Sequence, residues 1–398
     1  MRICLVYDCL FPYTIGGAER WLRSVAECLA ADGHEVTFLT LRQWPRGSEP
    51  GVPGVRVLTA GPRMGLYTAS GRRRILPPLV FGVGVLWHLL RHGRRYDVVH
   101  TVSFPYFSLL AAAALRRLDG YRLVVDWFEL WTLDYWRGYL GRWGGRIGWL
   151  IQRLCVAVRH DAFCFSQLHA NRLRAEGFRG QVTVLRGVYA GPMAPRPAAA
   201  PAPVVVFAGR LIPEKAADTL PAAVEWVRER LPALRAEIFG DGPESARLEQ
   251  AVLDAGAAHS VRLRGFVGTE EVQEALAHAL CLVLPSRREG YGLVVVEAAS
   301  YGTPSVVVAG ADNAAVELIK EGVNGFIASS HAPADLGGAI LAIHGAGEAL
   351  RESTAAWFAE SAETLSVDAS LETVARAYAG RADAGAREPA GPSPIARA

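Results

Sequence analysis

Short apolar runs alternate along the chain with longer stretches whose apolar positions recur every three or four residues, the pattern of strand and helix units. Residues 3–7 read as a strand, Gly16-Gly17 as a loop, residues 18–31 as a helix and residues 35–40 as the next strand. Further strands are predicted at 55–58, 97–101, 123–125, 162–165 and 182–185, with helical spacing between most of them. The pattern stops at residues 190–203, AGPMAPRPAAAPAP, where proline and alanine predict an extended linker. A second series begins at 204–207 and continues at 236–239, 261–263, 281–284 and 305–308. Strand–helix alternation predicts parallel, doubly wound sheets. The chain is therefore expected to form two Rossmann-like α/β domains, 1–189 and 204–380, followed by a disordered tail at 381–398.

A chain of 398 residues, 51% of them hydrophobic, can bury two such cores. Its first strand begins almost at Met1 and leaves no room for a leader, which predicts a cytosolic protein. Residues 79–90, the most lipid-like run, are too few to span a bilayer and predict a buried or interfacial helix. Cys4, Cys9, Cys28, Cys155, Cys164 and Cys281 show no CxxC spacing, so neither disulfides nor a bound metal is expected. Charge divides unevenly: the first 200 residues hold 26 arginines against 13 acids. That excess suits an acidic or membrane-bound partner, as at the inner face of a membrane, and equally a solvated face. No nucleic-acid partner is expected.

The stretch with most chemistry is SRREGYGLVVVEAASYGTP, residues 286–304. It reads as a loop with Gly290 and Gly292 entering a short helix at Leu293, whose free N–H groups suit an anion. Glu289 precedes that helix and Glu297 lies about a turn inside it, so one ligand with hydroxyls at both ends and phosphate between can meet both carboxylates. The plainer reading is a surface loop with Glu297 in an ordinary ion pair. After the first strand of the second domain, GRLIPEK sets Gly209 and Arg210 in the strand-end loop and Lys215 near the next helix, two cations suited to a diphosphate. Gly240 in FGDGP and Phe266-Val267 in LRGFVG follow later strands and fall at the same carboxyl edge, where a base can lodge. Gly16-Gly17 allows close approach of a phosphate or sugar, or serves only as a flexible turn. It is not GxGxxG, and no GxxxxGK[ST] occurs.

Taken in order, GGAER, GRLIPEK, GDGP, RGFV and PSRREGYGLVVVEAASYGTP resemble the retaining, nucleotide-sugar-dependent glycosyltransferase family 4, whose members have the two-domain GT-B fold. The resemblance implies a nucleotide-sugar donor and a reaction that uses no metal or other cofactor. It implies that Arg210 and Lys215 bind the donor diphosphate, Glu289 a hydroxyl of the transferred sugar and Glu297 the ribose. Backbone of Gly290, Tyr291, Gly292 and Leu293 would complete the seat, with Gly16 closing from the other domain. Family members often carry a histidine after the strand that here ends VVDWFELW. This chain has Phe128 in that neighbourhood, with Asp126 and Glu129 beside it, and His100 at the end of VVH is a further acceptor-side candidate. Residues 131–153 interleave aromatics with arginines, as suits a membrane surface, a large acceptor or a packing helix. The acceptor is left open between a lipid-linked glycan, a polysaccharide and a small glycoside. An epimerase or phosphorylase on this fold, and a non-catalytic nucleotide-sugar binding module, are the alternatives.

Overall fold

The computed structural model describes residues 1–45, 47–48, 50–68, 73–195 and 201–379. The first domain is a seven-stranded sheet of β1 (Arg2–Val6), β2 (Glu35–Thr40), β3 (Val55–Thr59), β4 (Val98–Val102), β5 (Arg122–Trp127), β6 (Asp161–Cys164) and β7 (Val182–Val184). Its spatial order is β3-β2-β1-β4-β5-β6-β7, every pair parallel. Around it lie α1 (Gly17–Ala31), α2 (Leu76–His92), α3 (Tyr106–Asp119), α4 (Leu133–Ala157) and α5 (Gln167–Ala175). Helices on a parallel sheet bury its strands, and Ile3, Leu5, Val99, Val124 and Trp127 are fully enclosed.

The second domain repeats the plan with β8 (Val204–Ala208), β9 (Arg235–Phe239), β10 (Val261–Gly265), β11 (Cys281–Leu284), a short β12 (Arg288–Glu289), β13 (Ser305–Val308), a short β14 (Asp312–Asn313) and β15 (Gly325–Ala328). The six-stranded sheet runs β10-β9-β8-β11-β13-β15, and β12 pairs with β14 as a separate ribbon. Its helices are α6 (Leu220–Arg228), α7 (Ser245–Asp254), α8 (Thr269–His278), α9 (Leu293–Ala299), α10 (Pro333–Leu365) and α11 (Val367–Ala379). In both sheets the strand order reverses beside the first strand, between β1 and β4 and between β8 and β11. The carboxyl edge at such a reversal opens a crevice for ligands.

One feature departs from the expected division of the chain. Leu371, Val374 and Tyr378 of α11 belong to the core of the first domain, so the second domain does not run to residue 380. The chain crosses between domains twice, and the crossings lie side by side. Tyr189 N donates to Leu365 O at 3.0 Å and Val367 N to Tyr189 O at 2.8 Å. A Cβ on Gly187 would stand 1.9 Å from Ser366 O, so only glycine lets the two backbones pass this closely. Of the proline- and alanine-rich linker, 190–195 and 201–203 hold no helix or strand, and 196–200 lie outside the described residues, as does the tail expected to be disordered.

Candidate active site

The carboxyl edge of the second sheet is laced together by backbone. Gly209 N donates to Phe239 O at 3.0 Å and Gly240 N to Gly265 O at 2.8 Å, which draws the loops after β8, β9 and β10 into one ledge. Gly240 has φ 140°, and a Cβ there would fall 1.8 Å from Gly209 O, so the ledge requires glycine. Arg210 emerges from this ledge exposed. A 3-10 turn at Pro213–Lys215 sends Lys215 back toward the loop after β11, where Nζ contacts Glu289 Oε2. Ser286 Oγ donates to the same oxygen at 3.3 Å. The two charged side chains are only 19% and 14% exposed, so water screens the pair weakly. Glu214, the neighbour of Lys215, instead accepts a hydrogen bond from Tyr135 OH of the first domain.

The glycine loop is pinned from behind. Asn313 is buried and donates through Nδ2 to Ser286 O at 3.0 Å and to Val308 O at 2.8 Å. Gly292 has φ 98°, and a Cβ on it would stand 2.7 Å from Ala315 Cβ. Beyond it, α9 holds its valine run in helix because Val295 and Val296 are buried against the second core. The tip of the loop reaches the other domain. Tyr291 OH donates to Arg186 O at 2.5 Å, and its ring packs against both cores. A Cβ on Gly290 would lie 3.1 Å from Phe128 O. Glu297 is half-buried, and burial raises its carboxyl above the usual range while the charge of Arg20, from α1, opposes the rise.

On the facing wall, Gly16 precedes α1 in an extended conformation, and Gly17 has open space around its Cα. Phe128 stacks on Phe165 with ring centroids 4.4 Å apart. Glu129 pairs with Arg288 across the cleft at 3.0 Å and accepts from Trp131 Nε1 at 2.9 Å. The Arg288 guanidinium lies over the Tyr135 ring, 3.9 Å from its centroid, and over Trp131. Two sheet edges thus face each other, one carrying cations and a carboxylate, the other aromatic.

Among solved structures, a sucrose-phosphate synthase from Thermosynechococcus elongatus matches with a TM-score of 0.79 at 19% identity, covering 96% of this chain and 99% of its own. Anabaena Alr3699/HepE in complex with UDP-glucose matches at 0.68 and 18% identity, covering 96% of this chain and all of that one. Family models agree with the fold: a glycosyl transferase 4-like domain covers residues 16–188 and glycosyl transferases group 1 covers 194–352. The chain belongs to the GT-B glycosyltransferases. Among curated relatives, glycogen synthase from Mycobacterium tuberculosis is 29% identical over 372 residues, 86% of this chain and 85% of its own length. D-inositol 3-phosphate glycosyltransferase from Streptomyces griseus is 37% identical over 141 residues, 33% of this chain and 29% of that relative's length. The gap between the two family models falls where this glycosyltransferase makes its first crossing, just past Tyr189.

Within the glycosyltransferase, Gly209, Arg210, Lys215, Gly240, Glu289, Gly290, Tyr291, Gly292, Leu293 and Glu297 converge on one edge, and Gly16, Phe128 and Glu129 face them. Phe266, just past the end of the outermost strand β10, is 75% exposed, with half-buried Val267 beside it. His100 and Asp126 do not reach the cleft. Both are completely buried in β4 and β5, where His100 Nε2 meets Asp126 Oδ1 at 2.8 Å, Trp21 Nε1 donates to Asp126 Oδ2 at 2.8 Å, and Tyr378 OH meets His100 Nδ1 at 2.6 Å. Their polar atoms are consumed in a core network that also fastens α11. Arg288, Tyr135, Trp131 and Arg20 complete the site; Trp131 and Tyr135 belong to the aromatic stretch 131–153, whereas no sequence expectation attaches to Arg288 or Arg20. The second arginine of SRREGYG was the available signal for Arg288.

Proposed function

We propose that this glycosyltransferase moves a sugar from a nucleoside-diphosphate sugar, held by the second domain, to an acceptor hydroxyl on the first, with retention of configuration and no metal ion. The observation that carries the reading is the Lys215–Glu289 contact beside Arg210. It sets two cations and one carboxylate at a sheet edge where a diphosphate and a sugar can lie end to end. Lys215 and Arg210 stabilise the charge that grows on the departing diphosphate, the work that a metal ion does elsewhere. Glu289 accepts from a hydroxyl of the transferred sugar, and Glu297 holds the ribose. The sugar–phosphate bond breaks, the acceptor oxygen bonds the anomeric carbon on the same face, and the acceptor proton passes to the leaving diphosphate oxygen. A covalent sugar adduct on protein needs a free carboxylate within reach. Glu289 is neutralised by Lys215, Glu129 is held by Arg288 and Trp131, and Asp126 is buried, which favours the same-face course.

The Anabaena structure with UDP-glucose makes that donor the first to test. Thermal shift against UDP-, GDP- and ADP-sugars identifies the donor, because a ligand that binds the native state raises its stability with concentration. Acceptor-dependent release of the nucleoside diphosphate, with a product of unchanged anomeric configuration by NMR, is the expected result. Binding without release under any acceptor would leave a binding module. A new nucleotide sugar formed without acceptor would make the protein an epimerase.

A further inference from the structure

Three helices on one face of the first domain leave a row of large apolar side chains in water. α3 packs against both α2 and α4. The inner side of α2 buries Phe81, Val85 and Leu89, while Val83, Trp87 and Leu90 on its outer side are 68%, 60% and 56% exposed. In α4 Trp143, Ile147, Leu150 and Leu154 recur at intervals of three and four and are 55–71% exposed, and Leu118 at the end of α3 is 69% exposed. A single exposed leucine is ordinary; eight such side chains on neighbouring helices mark an interaction surface.

Charge on this layer is predominantly basic. Within the three helices the acids are Asp119 and Asp134, near helix ends, against Arg91, Arg116, Arg117, Arg137, Arg142, Arg146 and Arg153. Arg91 lies over the Trp87 ring and Arg146 over Trp143, so guanidinium and indole sit at one level. Past the ends of α3 and α4 lies a cavity of about 480 Å³ lined by Arg116, Arg117, Arg122, Arg159 and Arg179. Asp161 is the one carboxylate in its lining, and it is paired with Arg122 at 2.6 Å. Among the described residues no helix is long and apolar enough to cross a membrane.

We propose that the outer face of α2, α3 and α4 docks the protein on an anionic phospholipid surface, the apolar row entering the acyl boundary and the arginines taking lipid phosphates. Indole and arginine side chains alternating along a helix suit a fluid interface, where the ring sits at headgroup level and the guanidinium finds a phosphate. The face also leads to the cleft. α2 and α4 begin together there, with Arg73 N donating to Tyr139 OH at 3.0 Å and Tyr135 bonded to Glu214. An acceptor carried by lipid would therefore meet the aromatic wall without leaving the surface, a step that rests on the transfer reading, whereas docking itself does not.

Flotation of the full chain with vesicles of phosphatidylcholine alone, or of equimolar phosphatidylcholine and phosphatidylglycerol, tests the proposal. The protein should float with the anionic vesicles only. Val83→Ser/Trp87→Ser/Trp143→Ser/Ile147→Ser should weaken that binding by about tenfold or more, as should Arg142→Glu/Arg146→Glu/Arg153→Glu. Both variants should keep the wild-type thermal shift with UDP-glucose, which reports an intact fold and donor site. Absence of flotation with anionic vesicles, equal flotation of the variants, or a wild-type dimer that the apolar variant splits into monomers would each overturn docking. Docking with no shift from any nucleotide sugar would sink the transfer reading and leave the surface standing.

Discussion

Replacing Lys215 by alanine isolates the interaction on which the functional reading depends most. The ammonium sits against Glu289 with both groups at least four-fifths shielded, so its field acts on a bound diphosphate with little screening. A lost charge-assisted donor of this kind costs about 2 to 4 kcal/mol in the transition state, or about thirty- to a thousandfold in kcat/KM. Glu289→Gln acts differently. The amide still accepts from a sugar hydroxyl, but it no longer draws the ammonium away from phosphate, so affinity for the nucleoside diphosphate alone should hold or rise while kcat falls by about tenfold. Because the partners touch, the double variant should lose less than the sum of the single losses, by about 1 to 2 kcal/mol. Steady-state release of nucleoside diphosphate gives kcat/KM, and titration calorimetry gives the affinities. A Lys215→Ala enzyme within about threefold of wild type, or strictly additive losses, would remove Lys215 from the donor site.

Gly292→Ala should destabilise the protein by about 2 to 3 kcal/mol and weaken donor binding, since φ 98° disfavours any side chain and the new Cβ meets Ala315. Gly17→Ala, in open space at the first helical position, should be neutral or stabilising in the same urea titration, and equal effects of the two would refute the backbone argument. Acid should destabilise the fold through two buried histidines. His160 Nε2 accepts from Trp127 Nε1 and His169 Nδ1 accepts from Leu130 N, so both must be unprotonated there, and burial holds each down at about 3. The unfolded chain takes up these protons below about 6.5, so stability is complete above that pH and falls as pH drops toward 3, by about 2 kcal/mol per histidine at pH 5. Urea midpoints that do not change between pH 7 and 5 would contradict this. Turnover should persist in excess EDTA, and loss of activity restored by magnesium or manganese would refute charge stabilisation by Arg210 and Lys215 alone.

The strands were legible because a parallel sheet covered on both faces writes each strand as a short apolar run, and the runs at 3–7 and 204–207 begin the two sheets. β15 escaped because GFIA opens with a glycine that a strand rarely wants. Gly325 is needed there since a Cβ would stand 2.0 Å from Ser305 O. α11 has ordinary helical spacing, and nothing in its residues says which core it enters; that follows from the length of α10 and from the backbone pairing at Tyr189. The meeting of Arg210, Lys215 and Glu289 at one edge was readable because each lies in a segment that follows β8 or β11. The acceptor side was not. His100 and Asp126 are polar residues in strands, which from sequence suggests a function, but the partner that satisfies His100 is Tyr378, 278 residues away.

One short ribbon couples the two walls of the cleft. In a strand successive side chains point to opposite sides, and β12 has only Arg288 and Glu289. Arg288 turns to the first domain, onto Glu129 and the rings of Tyr135 and Trp131, while Glu289 turns to Lys215 in the second. β14 repeats the arrangement in register: Asp312, opposite Arg288, pairs with Arg172 of the first domain at 2.7 Å, and Asn313, opposite Glu289, ties the glycine loop to the second. One row of the ribbon therefore reads the position of the first domain and the other fixes the donor loop. A slip of one residue would exchange the rows and set Arg288 against Lys215. The ion pairs of the outer row are only 13–28% exposed, so water screens them weakly and each fixes how the two walls meet. The two chain crossings meet at the paired backbone of Tyr189 and Ser366, and Arg288 and Glu289, adjacent in one strand, tie that junction's two domains through a single element whose residues cannot separate.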